Sequence, residues 1–107
     1  MDKRLKHLNN LRSFESAARL QSYSKAATEL FVTQAAVSQQ MRQLEMSLGS
    51  RLFVRSGRTM QLTQSGEKLF QATHQAFDVL LKGFNSIQAE EIAGNLTITS
   101  TQAFTSL

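Results

Sequence analysis

The stretch SKAATELFVTQAAVSQQMRQLEMSL, from Ser24 to Leu48, reads as two helices joined by a turn. Ser24 is placed to cap the first, because its hydroxyl can accept from one of the unpartnered N–H groups that open a helix. Ala26, Ala27 and Leu30 form the buried stripe of that helix, and Ala27 is small enough to let a second helix cross closely. The break falls at Phe31-Val32. Thr33 caps the second helix, where Val37, Met41, Leu44 and Leu48 recur at spacings of four, three and four. One apolar stripe at helical period faces inward. A glycine is often expected after the first helix of such a unit, where the backbone takes positive φ. Phe31 stands there instead, which implies strain and suggests a ring used as a core plug.

The opposite side of the second helix carries Gln34, Ala35, Ser38, Gln39 and Arg42, with no acid before Glu45. These side chains suit base edges in a DNA major groove: amides bond adenine in bidentate fashion, Ala meets a thymine methyl, and Arg takes guanine or phosphate. An ordinary solvated polar face would look the same. The flanking sequence decides between them.

At 107 residues and 41% hydrophobic content the chain can bury one small core, so one domain plus an appendage is expected. Twelve Lys and Arg against eight Asp and Glu give a net charge of +4 and a pI near 10.0, which suits a polyanionic partner without naming one. With no cysteine there is neither a disulfide framework nor a thiolate metal site. No apolar run approaches the roughly 20 residues a membrane-spanning helix needs, and the N-terminus lacks the apolar core of a signal peptide, so a cytoplasmic location with no membrane partner is the default expectation. Proline is absent, against an average usage of about 5%. That favours long helices.

Upstream, Met1 to His7 is basic through Lys3, Arg4 and Lys6 and reads as a loose arm, solvated or touching phosphate. Asn9 and Asn10 offer caps for a helix over Leu11 to Leu20, with Leu11, Phe14, Ala17 and Ala18 on one side. Glu15 and Arg19 stand four apart in the favourable order, a pairing of a few tenths of a kcal/mol on an exposed face.

Downstream, Gly49 ends the second helix. Leu52-Phe53-Val54-Arg55 and Met60-Gln61-Leu62 read as two short strands around Ser56-Gly57-Arg58-Thr59, a wing-sized hairpin. From Met46 to Gly66 there is no acid, while Arg51, Arg55 and Arg58 all fall within that stretch. An arginine at a hairpin tip beside a recognition helix can enter the adjacent minor groove. Arg58 is the candidate, with Arg55 on phosphate; the alternative is a solvated basic turn. Thr63 caps a long helix from about Gln64 to Glu91, with Gly66 near its start. Phe70, Phe77 and Phe84 recur every seven residues in it, and Thr73, Leu80 and Ile87 take the intervening positions, a heptad seam. About 28 residues span roughly 42 Å, more than a small domain covers. The same helix of a second copy is the simplest partner, and a downstream part of the same chain is the alternative. His74 lies on this helix as a surface or interface residue. Gly94 ends the helix, and Leu96 to Thr101 alternates apolar and small polar residues as a strand would. A lone strand is not stable, so a second domain is expected beyond Leu107.

Taken together, the chain resembles the N-terminal part of a LysR-type bacterial transcription regulator from Leu8 to about Phe104. The resemblance is carried by LNNLRSFESAAR (Leu8 to Arg19), SYSKAATELFVTQAAVSQQMRQLE (Ser22 to Glu45), LGSRLFVR (Leu48 to Arg55), LTQSG (Leu62 to Gly66) and GNLTI (Gly94 to Ile98). Within that family it is similar to the branch containing the glycine-cleavage and β-lactamase regulators. The resemblance implies a mainly α fold: a winged helix-turn-helix of three helices and a two-stranded wing over 1–62, a linker and dimerisation helix over 63–93, and at 94–107 the hinge and first strand of an α/β effector domain. It implies Thr33, Gln34, Ala35, Ser38, Gln39 and Arg42 in the major groove and Arg58 at the wing, on double-stranded DNA. Many members have proline where Ala35 stands and a basic residue where Gln39 stands, which bears on the bases preferred. It also implies a homodimer through the linker helix, with a tetramer and contact with RNA polymerase open to the full-length protein. The fragment itself needs no cofactor, and a small-molecule effector is expected for the missing domain.

Two other classes are weaker. A protein-interaction module would call for an uncharged or acidic recognition face, against Arg42 and the acid-free wing. An enzyme would call for a thiolate, a phosphate-binding glycine motif, or a histidine at ligand or triad spacing from carboxylates, and the sequence has none; Glu29 and Glu45 read as surface charges.

Overall fold

Helix endings organise this structure, a computed structural model that describes residues 1–94. Helix α1 runs Leu8–Leu20, α2 Tyr23–Leu30 and α3 Gln34–Leu48; strands β1 (Phe53–Ser56) and β2 (Thr59–Leu62) follow, then α4 (Gln64–Gly94). Each of the first three helices stops on a residue in the left-handed region: Gln21 at φ +54, Phe31 at φ +58 and Gly49 at φ +70. Each is closed by a backbone bond reaching five residues back, Ser22 to Ala17, Val32 to Ala27 and Ser50 to Glu45, the Schellman arrangement.

That geometry corrects the expected plug. In a Schellman closure the apolar contact with the helix is made by the residue after the left-handed one. Val32 holds that place in the chain at 38% exposure, and Phe31 is turned out, 95% exposed. The strain expected from a non-glycine residue there is present in its positive φ. The cap of α2 also moves, from Ser24 to Ser22, whose hydroxyl accepts from the Lys25 N–H at 3.0 Å. Ser24 lies inside the helix.

Helix α1 starts three residues earlier than expected and without an asparagine cap. A 3₁₀ turn over Lys3–His7 leads straight into it, so the chain is already wound, and His7 stands at the cap position with no side-chain bond. The basic arm is therefore not loose at its start: the Asp2 carboxylate accepts from the Arg4 backbone N–H at 2.8 Å and from its guanidinium at 2.8 and 2.9 Å. Asn10 is buried, its amide donating to Gln43 Oε1 at 3.4 Å on α3 and lying 3.2 Å from His7 Nδ1. Ser13 on α1 likewise donates to Gln40 on α3.

The core gathers Phe14, Ala17, Ala18, Ala26, Ala27, Val37, Met41, Leu44, Leu52 and Phe53. Alanines at the helix crossings allow close approach, and Phe14 and Tyr23 pack on Phe53 with ring centroids 5.5 and 5.6 Å apart. The apolar stripe of α3 stops at Leu44, since Leu48 in its last turn is 46% exposed. Across the first two helices Arg19 reaches Glu15 at 3.2 Å and Glu29 at 2.5 Å, and Glu29 also accepts from Ser16 at 2.5 Å. Glu15 further meets His74 at 3.2 Å. Neither acid is a plain surface charge.

Arg19 and then Ser16 hold the Glu29 carboxyl below its ordinary 4.5. A carboxylate with a lowered folded value stabilises above its unfolded value and loses that contribution as pH falls through the lowered one. Glu29→Gln is therefore expected to lower the melting temperature at pH 7, with the difference from the parent fading below about pH 4.5. The loss is expected below about 1 kcal/mol, because Arg19 and Glu29 are 40% and 39% exposed and solvent screens them. A difference that grew in acid would contradict this origin.

The chain divides into two compact units, Met1–His74 and Gln75–Leu107. The first takes in the opening turns of α4, where Phe70 packs on the core and Thr73 is buried with its hydroxyl donating to Leu69 O at 2.7 Å. In the second, Asp78 and Lys82 pair at 3.2 Å, Phe77 is half-buried, and Leu80, Phe84 and Ile87 are exposed. The expected strand over Leu96 to Thr101, and the hinge with it, lies outside the described residues.

Candidate nucleic-acid interface

Helix α3 divides its polar residues between two tasks. Gln40, half-buried, accepts from Ser13, and Gln43, though exposed, accepts from Asn10, and both bonds pin the helix to α1. Gln34, Ala35, Gln39 and Arg42 are exposed, and Ser38 is half-buried between them. Thr33 starts the helix as expected, its hydroxyl accepting from the Ala36 N–H at 3.0 Å. Arg42 Nη1 donates to Ser38 Oγ at 3.0 Å, one turn back, which holds the guanidinium along the outward face. The pinning was not readable from sequence, since its partners lie 27 and 33 residues apart and nothing local distinguishes Gln40 from Gln39.

The wing pairs Phe53 with Leu62, Val54 with Gln61, Arg55 with Met60 and Ser56 with Thr59, each strand starting one residue later or earlier than expected. Gly57 takes φ +63 in the tight turn, and Arg58 is exposed at the tip beside it. Glu45 fixes the base of this hairpin: its carboxylate accepts from the Leu52 N–H at 2.7 Å and lies 3.7 Å from Arg51. It is half-buried rather than a surface charge, and it engages Arg51, leaving Arg55 and Arg58 as the wing's outward cations.

A recess of about 240 Å³ joins helix pair and wing, lined by Ser22, Tyr23, Ser24, Gln34, Arg55 and Arg58 among others. It brings two wing arginines and the first residue of α3 to one place. The serines and Tyr23 add hydroxyls that sequence reading did not assign. Burial, and then the charge of Glu45, push the Tyr23 phenol up, so it stays a neutral O–H. Two cations, several hydroxyls and an amide around an open recess suit an anion flanked by hydrogen-bonding groups. Among the described residues, no group of three His, Asp or Glu side chains could hold a metal ion. No helix among them is long and apolar enough to cross a membrane.

Residues 8–67 match the sequence profile of the bacterial regulatory helix-turn-helix protein, lysR family. This chain belongs to the LysR family. The match spans α1 to the first turn of α4. Among its relatives, the glycine cleavage system transcriptional activator of Escherichia coli (strain K12) is 44% identical over 104 residues, covering 97% of this chain and 34% of that protein. The HTH-type transcriptional activator AmpR of Yersinia enterocolitica is 52% identical over 71 residues, covering 66% of this chain and 24% of that one. This LysR-family chain thus spans about a third of the length of the first of these relatives and about a quarter of the second. Among solved structures, the complex of BenM_DBD with catB site 1 DNA shares 29% identity at a TM-score of 0.71, covering 81% of this chain and 94% of that one. The CbnR_DBD–DNA complex shares 27% identity at a TM-score of 0.65, covering 76% and 93%. The mainly helical winged fold agrees with both.

Proposed function

We propose that this chain is the DNA-reading part of a LysR-family transcription regulator, docking as a symmetric dimer on an inverted-repeat operator. The observation that carries this reading is the outward row of α3 standing over a fully packed inner face, with Arg55 and Arg58 beside its N-terminus. Thr33, Gln34, Ala35, Ser38, Gln39 and Arg42 enter the major groove, Arg58 enters the minor groove, and Arg55 meets phosphate. Base contacts select the site while phosphate contacts supply affinity and its salt dependence. The names of the relatives, both transcriptional activators, and the DNA in both structural neighbours support it. The chain carries no catalysis in this reading.

The parts divide into a winged helix-turn-helix over 1–62, a linker helix over 63–93 and, from 94, the entry to an effector domain that senses a small molecule. Phe77, Leu80, Phe84 and Ile87 join two linker helices into the dimer, with Phe70 and Thr73 shared between the seam and the domain's own packing. Assembly into a tetramer and contact with RNA polymerase belong to the full-length protein, which acts in the cytoplasm.

Selection of bound duplexes from random DNA, at low and moderate salt, tests this directly. A motif with two-fold symmetry is the expected result, and no binding at low salt would refute the reading. On the selected operator Gln34→Ala is expected to cost about 1 to 3 kcal/mol, with a smaller loss on an unrelated duplex. Equal losses on both would remove Gln34 from base reading.

A further inference from the structure

Phe31 carries two costs at one position. Its backbone sits at φ +58, in the left-handed region where a residue with a Cβ is disfavoured. Its ring is 95% exposed, more than any other large apolar side chain among the described residues except the terminal Met1. The fold needs neither cost. The closure of α2 uses backbone bonds that glycine would form equally well, from the Phe31 N–H to Thr28 O and from the Val32 N–H to Ala27 O. A single exposed apolar side chain is ordinary. One that is also held in a strained backbone points to something that covers it in use.

Its position names the cover. Three steps of 3.8 Å separate Phe31 from Gln34, so their Cα atoms lie within about 11 Å of each other. The major groove of B-DNA is about 12 Å wide. With Gln34 at the base edges, the ring of Phe31 is within reach of the strand that walls the groove, where apolar deoxyribose C–H edges alternate with phosphates. The local charge fits that neighbour. From Leu30 to Leu44 the chain carries no acid, and Glu29, just before, is tied to Ser16 and Arg19.

We propose that Phe31 lays its ring on the deoxyribose edge of one operator strand, a contact independent of base sequence, and that the strained turn presents it there. This rests on the DNA-reading function above. Phe31→Gly and Phe31→Asn both remove the ring while suiting the left-handed backbone, so neither threatens the fold. Melting temperature and dissociation constants for the selected operator and a scrambled duplex are the measurements.

The melting temperature is expected to rise by about 4 °C as the strain is relieved. Both duplexes are expected to bind about tenfold more weakly for each docked ring removed, the effect of uncovering some 60 Å² of apolar surface per protomer, and so about a hundredfold where both protomers of a dimer dock. Phe31→Tyr, which keeps the ring, should bind like the parent. Unchanged affinity in the glycine and asparagine variants would overturn the contact and direct attention to a protein partner for the ring. A fall in melting temperature would mean that the ring packs within the fold, and a loss confined to the operator would mean that it reads bases instead of sugar; either overturns the proposal. A parent chain that binds no duplex would defeat the DNA-reading function itself, a failure visible before any variant is made.

Discussion

Gly66→Ala is expected to unfold most of the winged domain at temperatures where the parent is intact. In an exposed helix interior this change would normally stabilise by about 0.8 to 1 kcal/mol. Here a Cβ would stand 2.2 Å from the Leu52 carbonyl oxygen and 2.9 Å from Leu62 Cδ2. That oxygen cannot step aside cheaply, because it accepts from the Thr63 N–H at 3.0 Å, while the N–H of the same Leu52 is held by Glu45 at 2.7 Å. Relief requires the first turn of α4 to lift from the hairpin. That movement also breaks the bond from Thr63 Oγ1 to Arg51 O at 2.5 Å. Overpacking of about 1 to 3 kcal/mol plus two hydrogen bonds at about 1 kcal/mol each gives a loss of roughly 3 to 5 kcal/mol. At about 4 to 8 °C per kcal/mol for a domain this small, the midpoint should fall by about 12 °C or more. Thermal melting by circular dichroism measures it. Gly83→Ala is the control, since nothing among the described residues lies within 4 Å of the position its Cβ would take. A Gly66 variant as stable as the parent would mean that α4 does not press on the wing in solution.

Gly66 also shows where sequence reading stops. A glycine three residues past a Thr cap looks like a tolerated weakness at a helix start, and only the approach of Leu52 makes it a requirement. What sequence disclosed well was periodic or local. The spacing of Val37, Met41 and Leu44 oriented α3, Thr33 capped it, and Gly57 placed the wing's turn; each follows from a rule acting within a few residues. The outward row of Gln34, Ala35, Ser38, Gln39 and Arg42 followed from the same period, as the complement of the buried stripe.

The misreadings share a cause. At Phe31 the positive φ was expected and only the direction of the ring was misread, while Gln21 takes the left-handed conformation without the glycine that signals it at Gly49, so that closure had no residue to announce it. Ser22 and Ser24 are both acceptable caps, and the Schellman closure at Gln21 selects the first by setting where α2 begins. Glu29 and Glu45 looked solvated because their partners, Ser16, Arg19 and the Leu52 N–H, are brought to them by folding. In the heptad seam a single period serves two purposes: Phe70 and Thr73 pack within the first compact unit, while Leu80, Phe84 and Ile87 stay exposed in the second. Hydrophobic spacing marks residues that need cover and does not say whether the cover comes from the same chain.

That division makes Phe84→Asp the sharper test of the proposed dimer. Phe84 is 59% exposed in the single chain, so a charge there should leave the helix and the winged domain folded. Between two linker helices the same position would be buried, and each lost phenylalanine contributes about 2 kcal/mol or more. A symmetric dimer contains the substitution twice, so its dissociation constant should rise on the order of a thousandfold. Desolvation of two aspartates in an apolar seam acts in the same direction. Light scattering should then report monomer at concentrations where the parent is dimeric, and Phe84→Leu, which keeps an apolar side chain, should remain dimeric. Operator binding should follow assembly. A dimer engages its second half-site at an effective concentration set by the linker, so the monomer should bind a two-fold operator about a hundredfold or more weakly while holding a single half-site unchanged. A Phe84→Asp chain that stayed dimeric would move the interface off this face of α4. One that became monomeric yet bound the full operator as tightly as the parent would separate dimerisation from DNA recognition.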